Sequence, residues 1–184
     1  MIITRILKSV IFYLKFKRKM KACFSYFDPL SMTVTGLENI EIFNNAYIAK
    51  HGWIASIGGG KIIIDNNASI GRFVHIISTR KIHICQSALI AEKVYISDNL
   101  HGFNDINTPI KDQPLRQLKE VTIGSGSWIG ENVCIIGASV GKNSVVGANS
   151  VVTHDIPDYC VAVGAPAKII KRFDSEKQKW VIIS

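Results

Sequence analysis

Ile64-Asp65-Asn66-Asn67-Ala68-Ser69-Ile70-Gly71-Arg72-Phe73-Val74-His75-Ile76 places an isoleucine at every sixth position, with Ala68 and Val74 four places after the first two. A period of six fits neither an amphipathic helix nor simple strand alternation. The same spacing extends in both directions. The openers are Ile42, Ile48, Ile54; Ile64, Ile70, Ile76; Ile84, Ile90, Ile96; Ile123, Ile129, Ile135; and Val140, Val146, Val152. Small or branched residues follow four places later at Ala46, Gly52, Ala88, Val94, Ser127, Val133, Ser144 and Ser150, and Arg80 breaks the rule.

The spacing faults are ordered. Within each group of three the step is six, and between groups it is ten, eight, twenty-seven and five. Each fault falls after a third unit, so three units make one triangular coil and the faults share one edge. This predicts an all-β solenoid, a parallel β-helix of about five triangular coils. Stacked at ~4.8 Å, five coils make a prism of roughly 24 Å. The openers point inward as a column of Ile and Val, and small residues sit near the corners. Gly71, Gly124, Gly130, Gly141 and Gly147 are read as corner residues with tight backbone geometry. A solid interior leaves no ligand cavity, so function must lie on an outer edge or between subunits.

Three segments are expected: 1–35, 36–156 with an insertion over 97–119, and a tail over 157–184. In the first, Ile3, Leu7, Val10 and Leu14 share one helical face, opposite Arg5, Lys8, Lys15 and Lys19. This amphipathic helix reads equally as a cap on the open end of the stack or as a peripheral contact with an anionic membrane. In the tail, Asp174 to Trp180 is expected to form a short helix. The formal net charge of +8 is local: residues 1–22 hold seven basic residues and no acid, leaving fifteen basic against fourteen acidic residues elsewhere. The body is near neutral, so no nucleic-acid partner is expected. Val10 to Leu14 is too short an apolar run to span a bilayer. Cys23, Cys85, Cys134 and Cys160 form no C-x-x-C pair, which suits reduced thiols in the cytoplasm. No histidines pair at ligand spacing, and no metal is expected.

The hexads, with Val121-Thr122-Ile123-Gly124-Ser125-Gly126-Ser127-Trp128-Ile129-Gly130 and Ala162-Val163-Gly164-Ala165-Pro166-Ala167-Lys168, resemble the hexapeptide-repeat acyltransferases, in particular the branch of galactoside, maltose and polysaccharide O-acetyltransferases. The resemblance covers residues 40–172. It implies a left-handed coil and a homotrimer binding acetyl-CoA in clefts between subunits.

The insertion over 97–119 holds His101. A neutral imidazole, with an ordinary pKa of ~6.5, suits removal of a hydroxyl proton near neutral pH. From the residues alone, His101 reads equally as a solvated loop histidine. The resemblance makes it the general base, with Asp98 a candidate to orient its other nitrogen. Phe103 and Asp105, in the same loop, are candidate acceptor contacts. Trp128 is read as outward-facing, either packing between subunits or walling the donor cleft. By resemblance, Ala148 and Thr153 contact the pantetheine chain. His154, itself a candidate cofactor contact, stands where the family often has Lys, which leaves Lys168, Lys171 and Arg172 to meet the CoA phosphates; otherwise those three are a solvated basic tail. The cysteines lie far from His101 in sequence, so direct transfer is expected rather than an acyl-enzyme. The functional expectation is an acetyl-CoA-dependent O-acetyltransferase acting on a saccharide hydroxyl. The alternatives are an N-acetyltransferase on an amino sugar and a non-catalytic scaffold.

Overall fold

The six-residue period winds into three parallel faces. A computed structural model describes Tyr26–Phe27 and residues 31–183. Face A stacks Tyr26–Phe27, Tyr47–Ile48, Ser69–Ile70, Leu89–Ile90, Trp128–Ile129, Val145–Val146 and Cys160–Val163. Face B stacks Thr33–Thr35, Trp53–Ser56, His75–Ser78, Tyr95–Ser97, Cys134–Ile136 and Val151–Val152. Face C stacks Ile40–Ile42, Lys61–Ile64, Lys81–Ile84 and Val121–Ile123, and single bridges continue it through Val140 and Ile156. The openers are in register, as in Ile48↔Ile70 and Ile90↔Ile129. The expected amphipathic helix lies outside the described residues.

The core is a column of branched side chains. Its largest fully buried members are isoleucines, among them Ile48, Ile70, Ile90 and Ile129 on face A and Ile54, Ile76 and Ile96 on face B. Each such burial stabilises by about 1.5–3 kcal/mol relative to exposure. The buried corner serines are satisfied internally: Ser127 Oγ donates to Gly124 O at 2.7 Å, and Ser144 Oγ to Pro157 O at 2.7 Å.

Three expectations are corrected. The coil count is about six rather than five. After Val152 the chain steps only four residues to Ile156, then six to Ala162, and both are buried. The short step falls on the same B–C edge as the other faults, and Ala162 lacks the branched signature of an opener. The corners do not rest on the five named glycines. Their left-handed residues are Asn45, Asn67, Ser87, Gly126, Asn143 and Tyr159 before face A, and His51, Phe73, Lys93, Asn132 and Asn149 before face B. Asparagine is among the residues that tolerate that region best. The named glycines answer to close approach instead: a methyl at Gly130 would lie 2.7 Å from Ala148 N, and one at Gly71 2.7 Å from Ala91 C. Finally, Asp174 to Trp180 is not a helix. Lys168–Asp174 runs antiparallel to Cys160–Val163 and to Lys179–Ile182. Asp174 Oδ1 accepts from Glu176 N and Lys177 N, both at 3.0 Å, and closes the turn. Phe173 meets Trp180 edge-on at 5.6 Å.

Candidate active site

The insertion leaves the prism at the B–C edge and is rooted by Asp98. This carboxylate is fully buried. Its Oδ1 accepts from Thr79 N at 2.6 Å and Thr79 Oγ1 at 3.1 Å, and its Oδ2 from Ser78 Oγ at 2.7 Å and Arg80 N at 2.9 Å. Asn99 Nδ2 adds a further donor at 3.2 Å. Burial pushes the Asp98 carboxyl up, but the donors of Thr79, Ser78, Arg80 and Asn99 outweigh it and hold the group below its ordinary value. Asp98 is thus engaged with the coil and does not orient His101. It fixes the root of the loop instead.

From that root the loop rises as a two-stranded arm. Asn99–His101 pairs antiparallel with Leu115–Gln117, with His101 opposite Leu115. Gly102 N donates to Pro114 O at 3.0 Å, and Leu118 N returns to Asp98 O at 2.7 Å. Gln117 Nε2 reaches Thr79 O at 3.1 Å. His101 is exposed at the far end of the arm. Beyond it, Gln113 ties the tip, donating to Asp105 O and Thr108 O, both at 2.8 Å. The Asp105 carboxylate is engaged within the tip by Thr108 Oγ1 at 2.7 Å and Asn107 N at 2.9 Å. These donors, Thr108 first, lower its pKa. Phe103, 57% exposed, joins Asp105, Ile106 and Ile110 around a shallow depression.

A second feature lies on face A. Trp128, 50% exposed, walls a groove of about 400 Å³ with Ala91, Gly130, Glu131, Gly147 and Ala148. Ala91, Gly130 and Gly147 each follow an opener on consecutive coils, so small residues align beside the ring. That alignment was readable in the hexads and was missed. Trp128, Val145, Val161 and Lys171 form one register row across the face. Lys168, opposite Val163, is on the same strand as Lys171, Lys168–Asp174.

Thr153 and His154 lie instead past face B, on the B–C edge, with Thr153 Oγ1 3.0 Å from His154 Nδ1. Lys119, at the loop's return, pairs with the neighbouring Asp155. The expected site residues therefore fall into two sets. His101, Phe103, Asp105, Thr153 and His154 belong to the B–C edge. Trp128, Ala148, Lys168 and Lys171 belong to face A and its borders.

Comparisons with known proteins fit this architecture. The family profile described as a hexapeptide repeat of succinyl-transferase matches residues 120–154. WbbJ of Escherichia coli (strain K12), named for O-acetyl transfer in lipopolysaccharide biosynthesis, is 39% identical over 132 residues, 68% of this chain and 67% of WbbJ. The chain belongs to the hexapeptide-repeat acyltransferases. Among that family, a Mycobacterium tuberculosis protein named as an acetyltransferase is 40% identical over 61% of this chain, although the match spans only 36% of its own length. The polysialic-acid-specific acetyltransferase NeuO has a solved structure that matches with TM-score 0.58 and 32% identity, covering 73% of this chain and 66% of NeuO. The hexapeptide-repeat fold is also shared with AntD, an N-acyltransferase from Bacillus cereus, at TM-score 0.74 and 19% identity over 90% of this chain and 89% of AntD.

Proposed function

We propose that this protein transfers an acetyl group from acetyl-CoA to a hydroxyl of a saccharide, with His101 as general base. The carrying observation is the position of His101: an exposed imidazole on an arm whose root is locked by a buried carboxylate. The names of WbbJ and NeuO support a saccharide acceptor destined for a cell surface.

The face A groove suits the donor. Its walls are small or apolar, so an extended chain with amide groups can lie against the coil backbone beside Ala91, Gly130, Gly147 and Ala148. Lys168 and Lys171, both exposed on the strand Lys168–Asp174 that pairs with Cys160–Val163, would meet phosphates. When bound, acetyl-CoA supplies an activated acyl thioester. Neutral His101 accepts the acceptor hydroxyl's proton as its oxygen bonds to the carbonyl carbon. The resulting imidazolium returns that proton to the departing sulfur as the carbon–sulfur bond breaks. The oxyanion formed in between needs a donor, and a coil backbone N–H would suffice.

His101 and the groove lie on different parts of one prism. A site using both is completed by a second copy of the chain, which favours a homotrimer with clefts between neighbours.

The test is turnover of purified wild type and His101→Ala on matched acceptors bearing hydroxyl or amine groups. Wild type acetylates the hydroxyl series, and His101→Ala loses about 10²–10⁴-fold in kcat with unchanged Tm. Preference for the amine series would make this an N-acetyltransferase. No turnover on either, with no thermal shift from CoA, would favour a scaffold. Near-normal turnover by the variant would remove His101 from the mechanism.

A further inference from the structure

A separate cluster of donor side chains lies on face C. One ligand atom each from Asp65, His83 and Cys85 falls within 4.8 Å of the others, and all three residues are half-buried. His83 and Cys85 are two residues apart at the end of Lys81–Ile84, so both point to the outer side. Asp65 comes from the coil next door, where the pairing of Ile64 with Ile84 sets it opposite Cys85. The ladder fixes both backbones: Asp65 N donates to Ile84 O and Cys85 N to Ile123 O, each at 2.9 Å. His83 Nε2 stands 2.9 Å from Asp65 Oδ2.

We propose that Asp65, His83 and Cys85 form a binding site for a borderline-soft divalent ion, zinc or cobalt, on the outer wall of face C. The donors are one carboxylate oxygen, one imidazole nitrogen and one sulfur, the set that zinc and cobalt accept. Tetrahedral coordination with bonds of about 2.0–2.3 Å sets neighbouring ligand atoms on the order of 3.5 Å apart. From a cluster whose ligand atoms already lie within 4.8 Å of one another, binding would draw them to that spacing. Three protein ligands leave a fourth position for water. Calcium would call for six or more oxygens, which this cluster does not offer. The ion would tie two coils together through their side chains, apart from the His101 arm. Reading the chain alone gives no metal because the ligands lie on different coils. Their closeness arises from the coil length, which no C-x-x-C spacing encodes.

The test uses the full chain, stripped with chelator and titrated with Co²⁺. A near-ultraviolet thiolate-to-cobalt charge-transfer band is expected to saturate at one equivalent and to bleach on adding Zn²⁺. Cys85→Ser abolishes the band, and His83→Gln or Asp65→Asn weakens Co²⁺ binding at least about tenfold. Zn²⁺ raises the Tm of wild type but not of Cys85→Ser, and Mg²⁺ raises neither. Absence of the band at millimolar Co²⁺, or its survival in Cys85→Ser, overturns the proposal. Should Cys85→Ser misfold, the outward-facing His83→Gln decides: unchanged Co²⁺ affinity also overturns it.

Discussion

Asp98 shows how a residue next to a catalytic candidate acts without touching the chemistry. Its carboxylate gathers donors from Ser78, Thr79 and Arg80 on the preceding coil and from Asn99 beside it. Asp98→Asn replaces an acceptor-only group with one that must point an N–H at those donors. The expected cost is about 1–3 kcal/mol, measured by denaturant unfolding, with turnover reduced because the arm carrying His101 loses its root. The pH dependence has a definite sign. A carboxyl held below its ordinary value stabilises the fold above the unfolded pKa of about 3.9, and that stability is lost as pH falls through the folded pKa. Unfolding of wild type against that of Asp98→Asn should therefore converge as the solution is acidified and differ most near neutrality. A constant difference down to strong acid would show that the Asp98 charge contributes nothing. Sequence position suggested Asp98 as a partner for His101. Its real partners were out of view because they lie one coil earlier and converge only when the coils stack.

The hexad is the element-scale unit, and its two punctuation residues have different duties. The left-handed residue sits just before the small inward position, as Asn67 does before Ala68. The glycine after an opener, as at Gly71, faces the backbone of the next coil. Asn67→Val is expected to cost about 1–2 kcal/mol from backbone strain alone, and Asn67→Gly should be nearly neutral. Gly71→Ala should cost more than Asn67→Ala, because its methyl would press on Ala91 backbone atoms at 2.7 Å that cannot yield without separating two coils. Equal Tm losses for the two alanine variants would contradict these assignments. The period, the triangular cross-section and the shared edge of faults were legible because the core needs a branched side chain at fixed intervals. The sixth turn was not, because Ala162 fills its inward position without an aliphatic opener. The tail hairpin was also hidden: its first strand is held by pairing with Cys160–Val163 and its second by pairing with the first, rather than by a periodic buried face. Within the site, His101 could be found as a lone histidine in a long insertion. The groove could have been found from Ala91, Gly130 and Gly147, whose meaning appears only once the openers are stacked.

At the scale of the whole molecule, the separation of the His101 arm from the Trp128–Ala148 groove makes a claim about assembly. The arm leaves the B–C edge, whereas the groove lies on face A and its far border. An interior packed with isoleucine gives no route between them through the prism. If catalysis needs both, each cleft takes its base from one chain and its groove from a neighbour, and two inactive variants should restore one another. His101→Ala removes the proposed base. Ala148→Trp fills the groove from an exposed position and should abolish donor binding without loss of Tm. Each variant alone is expected to be inactive. Unfolded together in equal amounts and refolded, they would form mixed copies of the proposed trimer in which about a quarter of clefts pair an intact His101 with an intact groove. Turnover per chain should then approach about a quarter of the wild-type value, whereas variants refolded separately and then mixed should stay inactive until subunits exchange. Continued inactivity after joint refolding, with mixed trimers verified by differential tagging, would place base and groove within one chain and sink the shared-cleft reading. It would leave the role of His101 itself intact.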